Sequence, residues 1–478
     1  MQRDLQKKSV KGVVWNLLEN ASSYLIRFTI GIILARLLTP ADYGLIGMTV
    51  IFFSIAEVLV NSGFGQAFIQ KKDADEKDAN TVFLTNFIIS LLIYFVLWIS
   101  APFIATFFNQ VILTKLIRVM SIVVVINSLN IIQLAIIRKN LEFKKKTLLT
   151  FGSSIASGII GIVCAYKGLS VWSLVVQQVS NRLFVCIGLY LTSRWQLRFS
   201  FSYSSFKTMF SYGSWLLLTN ITIKIFDNLY RFVIGKFFPA SDLGFYDRGH
   251  QFPSMIYQQF SWSVGAVAFP VYSKLQGNNI ELEHSLGRFV KYSSFITLPL
   301  LAALFIVADP FVRILLTDKW AGAIPYIKLY CLIGMVVPIY NFLTQYIEAI
   351  GHTKANFRFT LILNFFRIIN IIINIKTSIV AILVGELIIR ITALVLISAF
   401  SKKIIGFSFF KTILTLRTLL YSLLLSLACG LIISELLKSN LYINFFASSL
   451  ITITTYIVTL YYIDRNVVEG VIKFLKRK

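Results

Sequence analysis

Charge is scarce in this chain. Only 14% of its 478 residues are Asp, Glu, Lys or Arg, against about 25% in ordinary soluble domains, which leaves little solvated surface for a water-soluble globule. Histidine is rarer still, with three residues, and no H-E-x-x-H, G-x-S-x-G or G-x-x-x-x-G-K-[ST] pattern occurs. Hydrolase and ATPase sites of those kinds are therefore not expected. The four cysteines (Cys164, Cys186, Cys331, Cys429) each fall in an apolar window and form no C-x-x-C pair. They read as small core residues, so neither a metal site nor a disulfide framework is expected. Alternating strands of the length a membrane barrel needs are also missing. No cleavable signal is expected at the start, where a polar stretch runs straight into a long span containing Glu19 and Arg27.

What is present is apolar length. Hydrophobic residues make up 57% of the chain. Windows long enough to cross about 30 Å of hydrocarbon recur from end to end. The fold class that follows is all-α, a polytopic membrane protein, because lipid offers the backbone no hydrogen-bond partners. About fourteen transmembrane helices are predicted, at 12–36, 44–69, 81–105, 111–137, 147–166, 170–192, 208–237, 243–271, 289–310, 323–348, 356–375, 378–400, 413–437 and 441–463. The formal charge of +25 resembles that of a nucleic-acid binder. With the N-terminus inside, however, twenty-eight Lys and Arg fall in inner segments and four in the short outer loops. That asymmetry predicts both termini in the cytoplasm and explains most of the charge without a nucleic acid partner.

The chain also repeats itself. "ILARLLTPADYGLIGM" (33–48) and "VIGKFFPASDLGFYDR" (233–248) share a basic residue (Arg36, Lys236), an aspartate (Asp42, Asp242) and a glycine (Gly44, Gly244) at one offset. Trp15 and Trp215, Asn20 and Asn220, and Gly65 and Gly265 match at the same offset. Spans 1 and 7 both start inside, so the halves share a topology. This predicts two pseudo-twofold-related six-helix lobes, 1–207 and 208–400, with an appended C-terminal helix pair and basic tail, 401–478. The motif itself reads as a structural corner. The cation faces a helix end, proline stops the helix, aspartate caps the next one, and glycine permits a tight turn.

Function should lie with polar groups that lipid would reject. On span 1, Asn16, Asn20, Ser23 and Arg27 lie within about 60° of one face. On span 7, Asn220, Lys224, Asp227 and Arg231 repeat the pattern, and Arg27 and Asp227 are equivalent positions. Span 2 carries Ser54, Glu57 and Asn61; span 8 carries Asp247, Gln251, Ser254 and Gln258, with Arg248 beside them. One reading is a hydrated central cavity whose cations, led by Arg27, Lys224 and Arg231, bind an anionic head group. The other is a set of internal ion pairs, since Lys224, Asp227 and Arg231 could satisfy one another. Glu57 reads either as a proton- or cation-coupling site or as a partner of Arg27, and Asp227 as a coupling or gating group. Glu348, Glu386 and Arg390 read as anchors or structural pairs, and His250 as a polar member of span 8.

With "GVVWNLLE" (12–19), "LARLLTPADYGLIGM" (34–48), "GFGQAFIQKKD" (63–73) and "LGFYDRG" (243–249) in view, the whole chain resembles the Wzx-type oligosaccharide flippases of the multidrug/oligosaccharidyl-lipid/polysaccharide (MOP) exporter superfamily. The resemblance implies two six-helix lobes that alternate between inward and outward openings in the plasma (inner) membrane. It implies transfer of a polyprenyl-pyrophosphate-linked oligosaccharide to the outer leaflet for surface polysaccharide assembly. No cofactor is implied, but some members couple to an ion gradient, here a proton or sodium gradient. A polysaccharide polymerase and glycosyltransferases are the further partners, beside membrane lipids. The substrate-binding candidates are Asn20, Arg27, Asn220, Lys224, Arg231, Arg248, Gln251 and Gln258; the C-terminal pair is a candidate lipid-tail groove. The rivals are a drug/cation antiporter, whose cavity would favour acidic groups, and a lipid II flippase. A membrane glycosyltransferase or polymerase would need a large outer loop with carboxylates, and the chain has none, so an enzyme is not expected.

Overall fold

The structure, a computed structural model, describes residues 25–61, 63–71, 73–140, 142–193, 195, 200–465 and 467–470. Expected span 1 is therefore described only from residue 25, and Asn16, Asn20 and Ser23 lie outside the described residues. Among those described there is helix and no strand. The helices are α1 (25–37), α2 (Pro40–Asn61), α3 (Phe64–Gln70), α4 (Glu76–Phe107), α5 (Ile112–Met120) and α6 (Ile122–Lys139). Next come α7 (Phe143–Tyr166), α8 (Trp172–Thr192), α9 (Tyr203–Asp227), α10 (Leu229–Phe237), α11 (Ala240–Lys274) and α12 (Asn279–Ile306). The chain continues with α13 (Ala308–Leu315), α14 (Ile324–Ala349), α15 (Thr353–Asn374), α16 (Ile379–Ile405), α17 (Phe409–Leu436) and α18 (Leu441–Ile463).

Among the described residues eleven segments are long and apolar enough to cross a membrane, and the chain is a multi-pass membrane protein. The three expected spans outside that set correspond to α1, α9 with α10, and α11. Of these, α1 is described over thirteen residues only, too short to count as a span, and α11 is rich in polar residues.

Several spans expected as single helices are broken. Span 2 divides into α2 and α3, because Gly63 caps α3 with φ 73°, a left-handed conformation that glycine adopts without strain. Span 7 divides at Asn228, which is 3% exposed. Its side-chain amide donates to the Lys224 carbonyl at 2.9 Å, which also accepts from the Asn228 backbone N–H at 3.2 Å. Span 4 divides at Ser121 in the same way, where the hydroxyl donates to the Arg118 carbonyl at 2.7 Å.

The chain forms two compact units, 1–244 and 245–478. In the first, Phe64, Phe68, Phe83 and Ile132 pack α3, α4 and α6 together, and α9 packs on α2 and α3. In the second, Tyr272 meets Phe289 and Tyr346 edge-on at 5.6 and 5.9 Å, centring α11, α12 and α14.

The repeated corner has a different local basis from the one its sequence suggests. Pro40 does not end a helix; it is the first residue of α2, where its missing N–H costs nothing. Thr39 caps that helix. Its hydroxyl accepts from the Asp42 amide at 3.3 Å, and the Asp42 carboxylate accepts from the Thr39 amide at 2.9 Å. The glycines make no turn either. A Cβ on Gly44 would lie 1.7 Å from the Ala240 carbonyl oxygen, and a Cβ on Gly244 would lie 1.9 Å from the Pro40 carbonyl oxygen. The two copies of the motif touch each other, and each glycine makes room for the other copy's backbone. Lys236 does face a helix end, but that of α4: its ammonium donates to the Phe107 carbonyl and lies 4.4 Å from the Phe107 ring centroid.

Candidate functional site: a polar cavity in the first unit

Inside the first unit, α1, α2, α6, α7 and α8 enclose a cavity of about 410 Å³, within the usual range for small-molecule sites. Its charged lining is Arg27, Glu57 and Arg182; Asn61, Asn127, Gln177 and Asn181 supply amides. Ser54, Glu57 and Asn61 recur at helical spacing on α2, so one face of that helix meets the cavity. On α8, Gln177, Gln178, Asn181 and Arg182 do the same. Asn181 is held by a 3.1 Å hydrogen bond to the Ser157 hydroxyl on α7.

Glu57 lies 4.0 Å from Arg182, with both side chains about half exposed. A pair that long and that solvated contributes little energy and can exchange partners. Among the described residues Arg27 has no carboxylate partner, and it is not Glu57 that neutralises it. Among the described residues, two guanidiniums against one carboxylate leave the lining with one excess positive charge. Guanidiniums present paired donors matched to phosphate oxygens, and the amides can bind sugar hydroxyls.

A second cavity of about 270 Å³ shares Asn61 and Ile131 with the first and adds Gln66, Arg138 and Asn220. Asn220 on α9 thus belongs to this lower compartment. Arg138 stands in the last turn of α6, at the end expected inside. Polar groups therefore run from Arg27 and Glu57 past Asn61 to Arg138.

The other sequence candidates lie elsewhere. Lys224 and Asp227 are exposed at the end of α9. Arg231, half-buried on α10, donates to Asn228 Oδ1 at 3.1 Å across the break. None of the three lines either cavity. In the second unit Arg248 is 6% exposed, donates to Gln251 Oε1 and lies 5.8 Å from the Trp320 ring centroid. Gln258 is exposed on α11. Asn20 is outside the described residues.

Three residues that matter were not selected from sequence. Gln177, Asn181 and Arg182 on α8 carry the signal that singled out α2, polar groups at spacings of four inside an apolar window. Arg367 was also missed. Its guanidinium grips Glu386 through two bonds of 2.9 and 3.1 Å, and Arg390 donates to the same carboxylate at 2.7 Å. Glu386 is 3% exposed. The expected structural pair is thus a trio with two cations on one anion.

The sequence model of a family described as "Polysaccharide biosynthesis protein" matches residues 33–325. The chain is similar to the teichuronic acid biosynthesis protein TuaB of Bacillus subtilis, 23% identical over 340 residues and covering 70% of each chain. It is also similar to the succinoglycan biosynthesis transport protein ExoT of Rhizobium meliloti, 23% identical over 357 residues, 74% of this chain and 72% of that one. Against the lipopolysaccharide biosynthesis protein WzxC of Escherichia coli the identity is 21% over 445 residues, 91% of this chain and 90% of that one. In fold, the chain is similar to the lipid II flippase MurJ in an inward closed conformation, with a TM-score of 0.76, 18% identity, and coverage of 95% of this chain and 100% of that one. An inward-facing multidrug resistance MATE family transporter of the MOP superfamily gives a TM-score of 0.63, 15% identity, and coverage of 80% and 94%.

Proposed function

The chain belongs to the polysaccharide biosynthesis protein family, and from that membership we propose that it is a flippase for a lipid-linked oligosaccharide, not an enzyme. The substrate is a polyprenyl-pyrophosphate-linked glycan, carried from the cytoplasmic to the outer leaflet of the plasma membrane by alternating access. The observation that carries this reading is the net-positive, amide-rich cavity around Arg27 and Arg182. Its charge suits a pyrophosphate and its amides suit a sugar. A drug/cation antiporter would need the opposite balance. Lys224, Asp227 and Arg231 flank the Asn228 break, where a change of helix direction would bring them toward the head group in another state. Six helices before residue 207, six up to residue 400 and a C-terminal pair remain the division proposed for the two lobes. Both termini in the cytoplasm, coupling to a proton or sodium gradient through Glu57, and handover to a polymerase and glycosyltransferases belong to the same proposal.

The test is export of the lipid-linked glycan in cells that lack the native gene and carry variants. Each guanidinium–phosphate contact is worth about 1.5–3 kcal/mol, so Arg27→Ala and Arg182→Ala should each slow export roughly 10- to 150-fold. Glycan should accumulate on the inner leaflet while the protein remains inserted. Unchanged export in both single variants and in the double variant would refute the assignment.

A further inference from the structure

The second unit contains a basic pocket at the end of the C-terminal helix pair, apart from the cavity on which the proposed function rests. It is about 490 Å³ in volume and lies between α12, α17 and the end of α18. Four cations line it, Arg288, Lys291, Lys411 and Arg417, together with two carboxylates. The lysines are spoken for: Lys411 pairs with Glu283 at 2.6 Å, and Lys291 pairs with Asp464 at 2.8 Å. The arginines are not. Arg288 has only a long contact of 3.4 Å to the Ser285 hydroxyl, and among the described residues no carboxylate reaches either arginine. Two guanidiniums thus face a recess that already contains its own balanced pairs, and an anion is what the recess lacks.

The level of the pocket identifies the anion further. Asp464 follows directly on the last residue of α18, so the cations stand where a membrane-crossing helix ends, at head-group depth. Leu414 lines the pocket, and from it an exposed apolar stripe runs up α17 through Tyr421, Leu425 and Ile432. Those positions fall within about 40° of one another and extend about 27 Å, close to the full hydrocarbon thickness of about 30 Å, so the half nearer the pocket is long enough for one leaflet's acyl chains. We infer that this pocket is a binding site for an anionic phospholipid, with the phosphate between Arg288 and Arg417 and the acyl chains along α17. The leaflet follows from the orientation proposed above, but the binding itself does not depend on it.

A variant without charge change tests the same space. A Cβ on Gly287 would sit 3.7 Å from the Phe407 ring and 3.8 Å from the Thr415 methyl, ordinary contacts. Gly287→Leu therefore inserts its branch into the pocket and leaves the ion pairs in place.

The full-length protein in detergent is titrated with dioleoylphosphatidylglycerol and read by native mass spectrometry, with dioleoylphosphatidylcholine as the zwitterionic counterpart. One phosphatidylglycerol should be retained in preference to phosphatidylcholine. The double variant Arg288→Ala/Arg417→Ala should weaken its binding about 30-fold, at about 1 kcal/mol for each arginine. Gly287→Leu should weaken it too, whereas Arg465→Ala, outside the pocket and paired with Glu469, should not. Equal retention of both lipids, unchanged binding in the double variant and in Gly287→Leu, or an equal loss in Arg465→Ala would each overturn the inference. Displacement of the lipid by millimolar inorganic phosphate would overturn the lipid assignment, as would preferential retention of polyprenyl pyrophosphate.

Discussion

The reciprocal glycine contact can be tested by adding one methyl group to each side. In Gly44→Ala the new Cβ would stand 1.7 Å from the Ala240 carbonyl oxygen and 2.5 Å from its carbon. Ordinary contact begins near 3.4 Å, so α2 and the start of α11 must separate by roughly the difference. The obstacle is backbone, so no rotamer change relieves it. Overpacking of this kind costs about 1–3 kcal/mol, partly offset by the helix preference of Ala over Gly, about 1 kcal/mol. Gly244→Ala meets the Pro40 carbonyl oxygen at 1.9 Å and should cost about as much. The informative variant is the double one. Once the first methyl has forced the crossing open, the second enters space already made. The two changes should therefore be strongly non-additive, with the double variant no less stable than the worse single by more than about 0.5 kcal/mol. The assay is thermal unfolding in one detergent, followed by size-exclusion fluorescence, for the parent, both singles and the double. At roughly 2–4 °C per kcal/mol, the singles should fall by a few degrees. Losses that simply add, or a single variant as stable as the parent, would show that the two motifs do not share one contact.

Two other variants test the charged groups. Glu386→Ala strands two guanidiniums that are 14% and 21% exposed, and breaking such a buried group costs about 3–5 kcal/mol; the protein should lose thermal stability or fail to accumulate, and an unshifted unfolding temperature would contradict the pairing. Glu57→Gln removes the one carboxylate among the cavity's described lining residues. If Glu57 couples an ion, gradient-driven uptake into vesicles should stop while binding of the lipid-linked glycan persists; uptake that keeps its response to an imposed gradient would exclude the coupling role.

The helices were legible because apolar length is written directly in the residues. Their breaks were not. Gly63 follows Asn61 and Ser62, a turn-forming trio that a long apolar window averages away. Asn228 is silent, since asparagine occurs within intact membrane helices. Lys224 and Asp227 end α9 while Arg231 lies on α10, so the face they were expected to share runs across the break. Arg27, Ser54, Glu57 and Asn61 lie on uninterrupted helix, and periodicity placed all four on one cavity. The glycines of the repeat were correctly singled out but given the wrong task, because a contact with a partner two hundred residues away has no local signature.

The modest volume of the upper cavity also bears on which glycans can pass. A compartment of about 410 Å³ can enclose a diphosphate and little more than the first sugar attached to it. The remainder of a long oligosaccharide would extend beyond this compartment and past Asn127, Gln177 and Asn181. Discrimination should accordingly read the reducing-end residue and ignore length and branching further out, so a cell could remodel the distal part of its surface polymer without changing this carrier.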